Sequence, residues 1–219
     1  AAVARLRLRH RDDLARLNSA WATSFADWDQ IVPPDRPTGA VTHDLEDLSA
    51  MIADQYFRVI AEEVHRAAPE QLYLGCRFAW VNDAAIRAAA VHCDVLSFNK
   101  YTWTLDDFHL PEGIDRPVVI GEFHFGALDR GLFHPGLRAA ADQADRAAKF
   151  RTYVDSGLRH PNIVGVHWFQ YRDQPTTGRF DGENYQIGLV DICDTPYPDM
   201  VRVSRELGSA LYRRRAASR

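Results

Sequence analysis

The sequence of 219 residues is poor in cysteine, has no excess of basic residues and contains no long apolar run. Its three cysteines form no Cys-x-x-Cys pair, which excludes a disulfide-stapled scaffold and a cysteine-rich zinc site. Lysine and arginine number 26 against 30 aspartates and glutamates, so the net charge of −4 argues against a nucleic-acid-binding protein. No apolar stretch approaches the ~18 residues that a membrane span requires. The phosphate-binding loops Gly-x-Gly-x-x-Gly and Gly-x-x-x-x-Gly-Lys are also absent.

What the sequence does contain is an alternation of short apolar runs with helical periodicity. The apolar runs, which predict strands, are residues 72–78, 94–101, 117–125 and 162–171. Helical spacing of apolar residues predicts helices over residues 12–21, 44–68, 83–91, 137–156 and from 198 onward. Strands that alternate with helices indicate βα units on a parallel sheet, and hence an α/β fold.

Each predicted strand ends in a group of polar and aromatic residues. These groups are residues 77–80, 99–103, 122–124 and 167–171. In (β/α)₈ TIM barrels the carboxyl ends of the strands build the active site. Four such ends in succession, after one leading helix, predict the second half of a barrel, strands five to eight. Because a whole barrel typically needs ~250 residues, we expect the first half to lie outside this chain.

The third predicted strand ends in a carboxylate, Glu122. Burying a glutamate is costly unless a function or a partner compensates for it, so Glu122 is a candidate catalytic carboxylate. The alternative is a structural carboxylate paired with an arginine. Glycoside hydrolysis uses two carboxyl groups that flank the scissile bond, so this interpretation requires a second one.

Three segments resemble a known family. Residues 121–131 (GEFHFGALDRG) are similar to the seventh-strand segment of the β-agarases of glycoside hydrolase family 50, a clan-A (β/α)₈ family. Residues 173–185 (DQPTTGRFDGENY) are similar to the segment after their eighth strand, and residues 17–25 resemble a post-strand-four segment shared with related β-galactosidase families. The resemblance implies a retaining hydrolase of β-linked galactans, agarose first.

The resemblance also implies roles for individual residues. Glu122 would be the nucleophile, and Tyr101, at the end of the sixth barrel strand, would hydrogen-bond and orient it. Trp168, at the end of the eighth strand, would lie under the −1 sugar and stack on the CH face of galactose. The other residues expected to contact substrate hydroxyl groups are Arg77, Asn99, His124, Gln170, Glu183 and Asn184, with loop bracing as the alternative role of Glu183. We expect neither a metal nor a cofactor.

The sequence does not contain the second carboxyl group that this interpretation requires. In clan A the acid/base glutamate follows an asparagine at the end of strand four, and none of the eight glutamates here follows an asparagine. We therefore expect the acid/base residue upstream of Ala1, and a chain that is inactive as an isolated fragment.

The predicted domains are residues 1–40, a helix and loop segment after strand four, and residues 41–219, the C-terminal half of the barrel. The expected partners are a galactan polysaccharide or oligosaccharide and the missing N-terminal half of the barrel, and neither nucleic acid nor a membrane. The resemblance favours an extracellular or periplasmic location.

Three other interpretations stay open at this point. One is a β-galactosidase-like clan-A hydrolase. Another is a metal-dependent barrel hydrolase, because Glu122 and His124 lie two residues apart, face the same side of a strand and could share a metal. The third is a non-catalytic half barrel, whose open first and last strands would pair with the missing half or with another copy.

Overall fold

The chain divides into two compact units. A computed structural model describes residues 1–217. One unit comprises Ala1–Gln71 with Asn82–His92, and the other comprises residues 72–81 with the chain from residue 93 onward. The helix that begins at Ala40 packs with the helices before it, and the domain boundary after residue 40 stays a prediction. The last two residues of the expected second domain lie outside the described residues.

The first unit is helical. Its helices are α1 (Ala2–Arg9), α2 (Leu14–Trp21), α3 (Ala40–Ala67) and α4 (Asp83–His92), with a short 3₁₀ turn at Trp28–Gln30. Helix α2 begins at Asp13, whose carboxylate accepts hydrogen bonds from the amides of Ala15 and Arg16. The apolar core of this unit consists of Leu6, Leu17, Trp21, Trp28, Val41 and Leu48.

A buried carboxylate of α3, Asp44, links the first three helices. It contacts His10 Nε2 and Trp21 Nε1, each at 2.7 Å, and forms an ion pair with Arg9. Burial acts to raise the pKa of Asp44, but the hydrogen bonds from His10 and Trp21 and the charge of Arg9 prevail and hold the pKa below its usual value. This polar link fixes α1 and α2 on α3.

The second unit is built on a parallel sheet. Its strands are β1 (Arg77–Phe78), β2 (Leu96–Asn99), β3 (Val118–Phe123) and β4 (Ile163–Trp168). All neighbours pair in parallel, in the order β1-β2-β3-β4. The predicted α/β class and the sequential strand order are therefore confirmed. Strand β1 is shorter than predicted because Gly75, with a φ of +63°, interrupts the extended backbone.

Two helices complete the second unit, α5 (Gln143–Arg159) and α6 (Pro198–Ala217). Helix α5 packs on β4, and α6 packs beside α5. Helix α5 begins six residues later than predicted, because the amide of Leu137 is bonded to a side chain and Asp142 caps the helix through the amide of Asp145. In the described part of the chain, no helix connects β2 to β3. None of the helices in residues 1–217 combines the length and the hydropathy needed to cross a membrane.

A β-bulge in β3 determines which side chains face which side of the sheet. The register opposes Phe98 to Ile120 and Asn99 to Glu122, so Gly121 is an extra residue in β3. An extra residue resets the alternation of side chains along a strand. Phe123 can therefore stack on Tyr153 of α5, at a ring-centroid distance of 4.0 Å, while Glu122 faces the opposite side of the sheet.

The ends of β3 and β4 are held by a fully buried arginine, Arg146 of α5. Its Nε donates to the carbonyl of Phe125 at 2.7 Å, Nη1 donates to Gln143 Oε1 at 3.0 Å, and Nη2 donates to the carbonyl of Gly188. Phe125 lies two residues after the end of β3, and Gly188 lies in the long loop after β4. One side chain thus ties the two segments that leave the carboxyl edge of the sheet.

We predict that Arg146→Met lowers the free energy of unfolding by about 3–5 kcal/mol, because it leaves two buried carbonyl groups without donors and Asp173 without its nearby charge. Urea unfolding followed by circular dichroism measures this change. Arg205→Met on the exposed surface of α6 is the control and should stay within about 0.5 kcal/mol of the original chain. Equal stabilities of the two variants would contradict the role assigned to Arg146.

Candidate active site

Glu122 is the centre of a small cluster at the carboxyl ends of β1, β2 and β3. Its Oε1 lies 2.7 Å from Arg77 Nη2, and its Oε2 accepts a hydrogen bond of 2.7 Å from the Tyr101 hydroxyl. The contact with Tyr101 agrees with the geometry expected from the sequence. Only 14% of the Glu122 side chain is exposed, against 55% of Arg77. A cation and a hydroxyl donor thus each hold one oxygen of the carboxylate.

The electrostatics of the cluster favour the protonated phenol of Tyr101. Burial, together with the hydrogen bond to Glu122 and its charge, raises the pKa of Tyr101 far above its ordinary value. Tyr101 is therefore a hydrogen-bond donor at any physiological pH. The charge of Arg77 opposes this effect on the pKa of Tyr101 but does not outweigh it.

Arg77 reaches Glu122 because Gly121 has no side chain. A Cβ atom at Gly121 would lie 2.4 Å from Arg77 Cδ and 3.0 Å from Ser97 Oγ. Arg77 Nη1 also donates to the Gly121 carbonyl at 3.2 Å, so the guanidinium lies across the bulge. Arg77 was predicted to bind substrate, but its Nη2 pairs with Glu122. Only the remaining, exposed part of the side chain can reach a ligand.

Asn99 is the second strand-end residue beside Glu122, since the two are register partners. Its Oδ1 is buried and accepts no hydrogen bond from residues 1–217. Buried polar atoms in folded proteins almost always have a partner. An unpartnered acceptor next to the carboxylate is consistent with the predicted role of Asn99 in binding a hydroxyl group.

His124 lies behind the cluster rather than at its open side. The residue is 2% exposed, and its Nε2 accepts a hydrogen bond of 2.8 Å from the amide of Leu137. Its ring contacts the ring of Tyr101 at a centroid distance of 4.7 Å. The ring is buried and its acceptor nitrogen is occupied, so nothing in these contacts supports the substrate contact of His124, which stays a prediction.

Trp168 also differs from its expected position. Its ring packs edge-on against Phe123 and Phe150, on the side of the sheet that α5 covers, and its Nε1 donates to the carbonyl of Ile187 at 2.8 Å. Arg146 lies 5.4 Å from the ring centroid. Trp168 is partly buried on the helix side of the sheet and has its ring contacts there rather than beside Glu122.

The next residue, Phe169, occupies the side of the sheet where Trp168 was expected. Its ring lies 6.2 Å from that of His124, and Arg179 lies 6.0 Å from the Phe169 ring centroid. The peptide bond from Phe169 to Gln170 is cis. Gln170 donates to the Arg172 carbonyl at 2.9 Å, so its amide group supports the turn. The alternation of side chains along a regular strand could not identify Phe169, because Phe169 lies just beyond the last residue of β4.

The loop of residues 173–185 is held by its own polar groups. Glu183 accepts a hydrogen bond of 2.8 Å from Gln174 Nε2 and lies 3.4 Å from Arg179 Nη1. The structure therefore places Glu183 as a brace of its loop, the alternative role considered for it. Asn184, beside it, is partly exposed and stays a predicted substrate contact.

The residues expected to share a metal are engaged elsewhere. Both oxygens of Glu122 have protein partners, and His124 Nε2 accepts the Leu137 amide. Within residues 1–217, no group of three histidine, cysteine, aspartate or glutamate side chains is arranged to hold a metal ion. Glu122 and His124 are thus arranged for hydrogen bonding rather than for joint coordination.

We predict that Gly121→Ala displaces Arg77 from Glu122, because the new Cβ would overlap the Arg77 side chain. A crystal structure of the variant should show the distance from Arg77 Nη2 to Glu122 Oε1 lengthened beyond hydrogen-bond range. The matched control is Gly165→Ala in β4, where a Cβ would have its nearest contact at 3.6 Å, an ordinary distance. An unchanged ion pair in Gly121→Ala would show that the bulge does not require glycine.

Known proteins similar to this chain include agarases. No family model matches the chain. β-Agarase A of Vibrio sp. (strain JT0107) is 42% identical over 216 residues, which cover 93% of this chain and 22% of the relative. β-Agarase B of the same organism is 39% identical over 206 residues, which cover 90% of this chain and 22% of the relative. The chain thus spans about a fifth of the length of these curated relatives.

Solved structures give the same result. An exo-β-agarase matches with a TM-score of 0.90 and 39% identity, over 98% of this chain and 30% of that one. PfGH50B matches with a TM-score of 0.90 and 36% identity, and the agarase AgWH50C with 0.86 and 40%, each over 98% of this chain and 32% of the other. Over nearly its whole length, this chain is therefore homologous to one segment of β-agarases, and its resemblance to glycoside hydrolase family 50 is confirmed.

Proposed function

We propose that this chain supplies the nucleophile side of the active site of a retaining glycoside hydrolase that cleaves β-galactosidic bonds of agarose. The observation that carries the proposal is the Glu122 carboxylate, held by Arg77 and Tyr101 at the carboxyl ends of parallel strands. The agarase relatives, at 42% and 39% identity, support agarose as the substrate class.

The geometry suits the first step of a double displacement. An oxygen of Glu122 attacks the anomeric carbon, and the glycosidic C–O bond breaks as an acid protonates the leaving oxygen. Arg77 and Tyr101 hold the carboxylate in one orientation until it forms the glycosyl ester. Water then attacks the anomeric carbon, gives a proton to the same acid/base group and releases Glu122 as a carboxylate.

The acid/base group has no candidate in this chain. Glu183 is the one other glutamate on a loop at the carboxyl edge that resembles the agarases, and it braces that loop through Gln174 and Arg179. We propose that the acid/base carboxyl lies in a segment equivalent to the remaining part of the agarase relatives. That segment would also add the strands that close the four-stranded sheet into a barrel.

We propose Phe169, instead of Trp168, as the aromatic residue under the sugar next to the scissile bond. Phe169 is partly exposed and lies on the same side of the sheet as His124. An aromatic face is well matched to the CH face of a galactose ring. Asn99, with its unpartnered Oδ1, is the proposed acceptor for a sugar hydroxyl.

We predict that the chain alone has no measurable agarase activity, because general acid catalysis contributes about 10²–10⁴-fold to the rate and its donor is missing. In the complete enzyme, Glu122→Gln should lower kcat by at least about a thousandfold, since the covalent step is lost. Release of reducing sugar from agarose measures both effects. Azide should partly restore turnover to Glu122→Ala and yield a glycosyl azide of inverted configuration.

The control for this assay is Glu206→Gln in α6, which should retain the activity of the complete enzyme. Hydrolysis by the chain alone would show that another carboxylate, Glu183 first, serves as the acid. Unchanged turnover in Glu122→Gln would refute the nucleophile assignment. Loss of substrate binding together with turnover, and no rescue by azide, would instead favour a non-catalytic binding role.

We further predict that Phe169→Ala lowers kcat/KM by about 10–100-fold in the complete enzyme, because the sugar loses its apolar contact surface. Trp168→Phe is the comparison variant. It should lower the melting temperature through the lost bond to Ile187 and leave kcat/KM close to that of the unaltered enzyme. The opposite result, with the larger kinetic loss in Trp168→Phe, would restore Trp168 as the platform.

A further inference from the structure

We infer that His124 is a positioning residue, which fixes the ring of Tyr101 and thereby orients the Glu122 carboxylate. The inference rests on the proposed function of Glu122. The His124 and Tyr101 rings are 4.7 Å apart at an interplanar angle of 58°, and the Tyr101 hydroxyl donates to Glu122 Oε2 at 2.7 Å. The chain of contacts therefore runs from a buried imidazole through a phenol to the reacting carboxylate.

The ring plane of His124 is set by a backbone hydrogen bond. Its Nε2 accepts the amide hydrogen of Leu137 at 2.8 Å, so the proton of the neutral imidazole is on Nδ1. Nδ1 is buried and has no hydrogen-bond partner among the described residues. The Phe169 carbonyl is the backbone group that acts on the imidazole electrostatically. Because Nε2 has one fixed donor, a turn of the ring about its χ2 angle would break this partly buried hydrogen bond from the Leu137 amide.

The loop that supplies this donor is shaped for close contact with the ring. Gly136 has a φ of +76°, and a Cβ atom there would lie 2.5 Å from His124 Nε2. A side chain at position 136 would therefore push Leu137 away from the imidazole. The turn before Leu137 is also tied to the loop after β4, because the Gln186 amide donates to the His134 carbonyl at 2.9 Å.

The surroundings of His124 keep the imidazole neutral. Burial lowers its pKa to about 4, and the charges of Arg146 and Arg138 act in the same direction, against the opposing effect of the Phe169 carbonyl. The titratable side chains whose rings contact it are Tyr101 and Tyr185. The ring thus holds one tautomer and one charge state across the working pH range of an enzyme.

A double-mutant cycle with Tyr101 in the complete enzyme tests the inference. His124→Ala should lower kcat for agarose hydrolysis by about 10–100-fold and leave KM nearly unchanged, since a displaced Tyr101 misorients the nucleophile. His124→Phe, which keeps a ring against Tyr101, should regain most of this loss. In the Tyr101→Phe background, which lacks the donor hydroxyl, His124→Ala should have no further effect on kcat, whereas independent losses would multiply.

The controls separate this inference from the proposed function. Turnover by Glu122→Gln would overturn the proposed function itself. An inactive Glu122→Gln together with a fully active His124→Ala, or multiplying losses in the cycle, would overturn only the role of His124. His109→Ala, at an exposed histidine, should match the unaltered enzyme and checks for general effects of removing an imidazole.

A measurement on the unaltered chain keeps the inference testable if His124→Ala does not fold. Nitrogen-15 NMR of the histidine side chains should show His124 as the neutral Nδ1–H tautomer, without titration between pH 5 and 8. The Leu137 amide should be protected from hydrogen exchange. An Nε2–H tautomer, or a ring that titrates near the ordinary histidine pKa of ~6.5, would overturn the inference.

Discussion

The architecture around the candidate site depends on the burial of one positive charge, that of Arg146. Burial lowers the pKa of Arg146 to about 10, so the side chain is still charged near neutral pH. Asp173 provides the opposite charge nearby and accepts hydrogen bonds of 2.6 Å from the Gly188 amide and the Tyr197 hydroxyl. Gly188 is thus held at both its amide and its carbonyl. A Cβ atom there would lie 2.2 Å from the Asp173 amide nitrogen, so only glycine fits.

This buried network has a consequence for the site. The loop after β4 includes Ile187, whose carbonyl receives the Trp168 indole and fixes that ring on the helix side of the sheet. The same loop pairs with the turn that presents Leu137 to His124. The polar core on one side of the sheet and the Glu122 cluster on the other are therefore connected through backbone segments.

The sequence predicted the elements of the fold better than their exact positions. Apolar runs located the strands because buried parallel strands are apolar on both faces. The start of α5 was missed because Leu137 lies in a helical pattern but donates its amide to His124, a contact that local periodicity does not contain. Helix α1, with Leu6 buried and Val3 partly buried in the core, was missed because two apolar residues are too few for a periodic signal.

The chemistry of a carboxylate at a strand end singled out Glu122, and the resemblance added Tyr101, whose hydroxyl contacts Glu122 in the structure. The position expected for Trp168 also came from the resemblance. Regular alternation puts Trp168 on the helix side of the sheet, since Val166, two residues earlier, lies near Gly157 of α5. The bulge at Gly121 had no sequence signal other than the glycine itself.

The partners of Glu122 restrict where a second carboxyl group can approach. In retaining enzymes the two carboxyl groups are ~5–5.5 Å apart across the scissile bond. Arg77 and Tyr101 occupy the β1 and β2 sides of Glu122, and His124 closes the space behind Tyr101. The open approach is therefore across the cleft from β3. In an eight-stranded barrel the opposite wall would belong to strands outside this set of four, and this is where the proposal places the second carboxyl group.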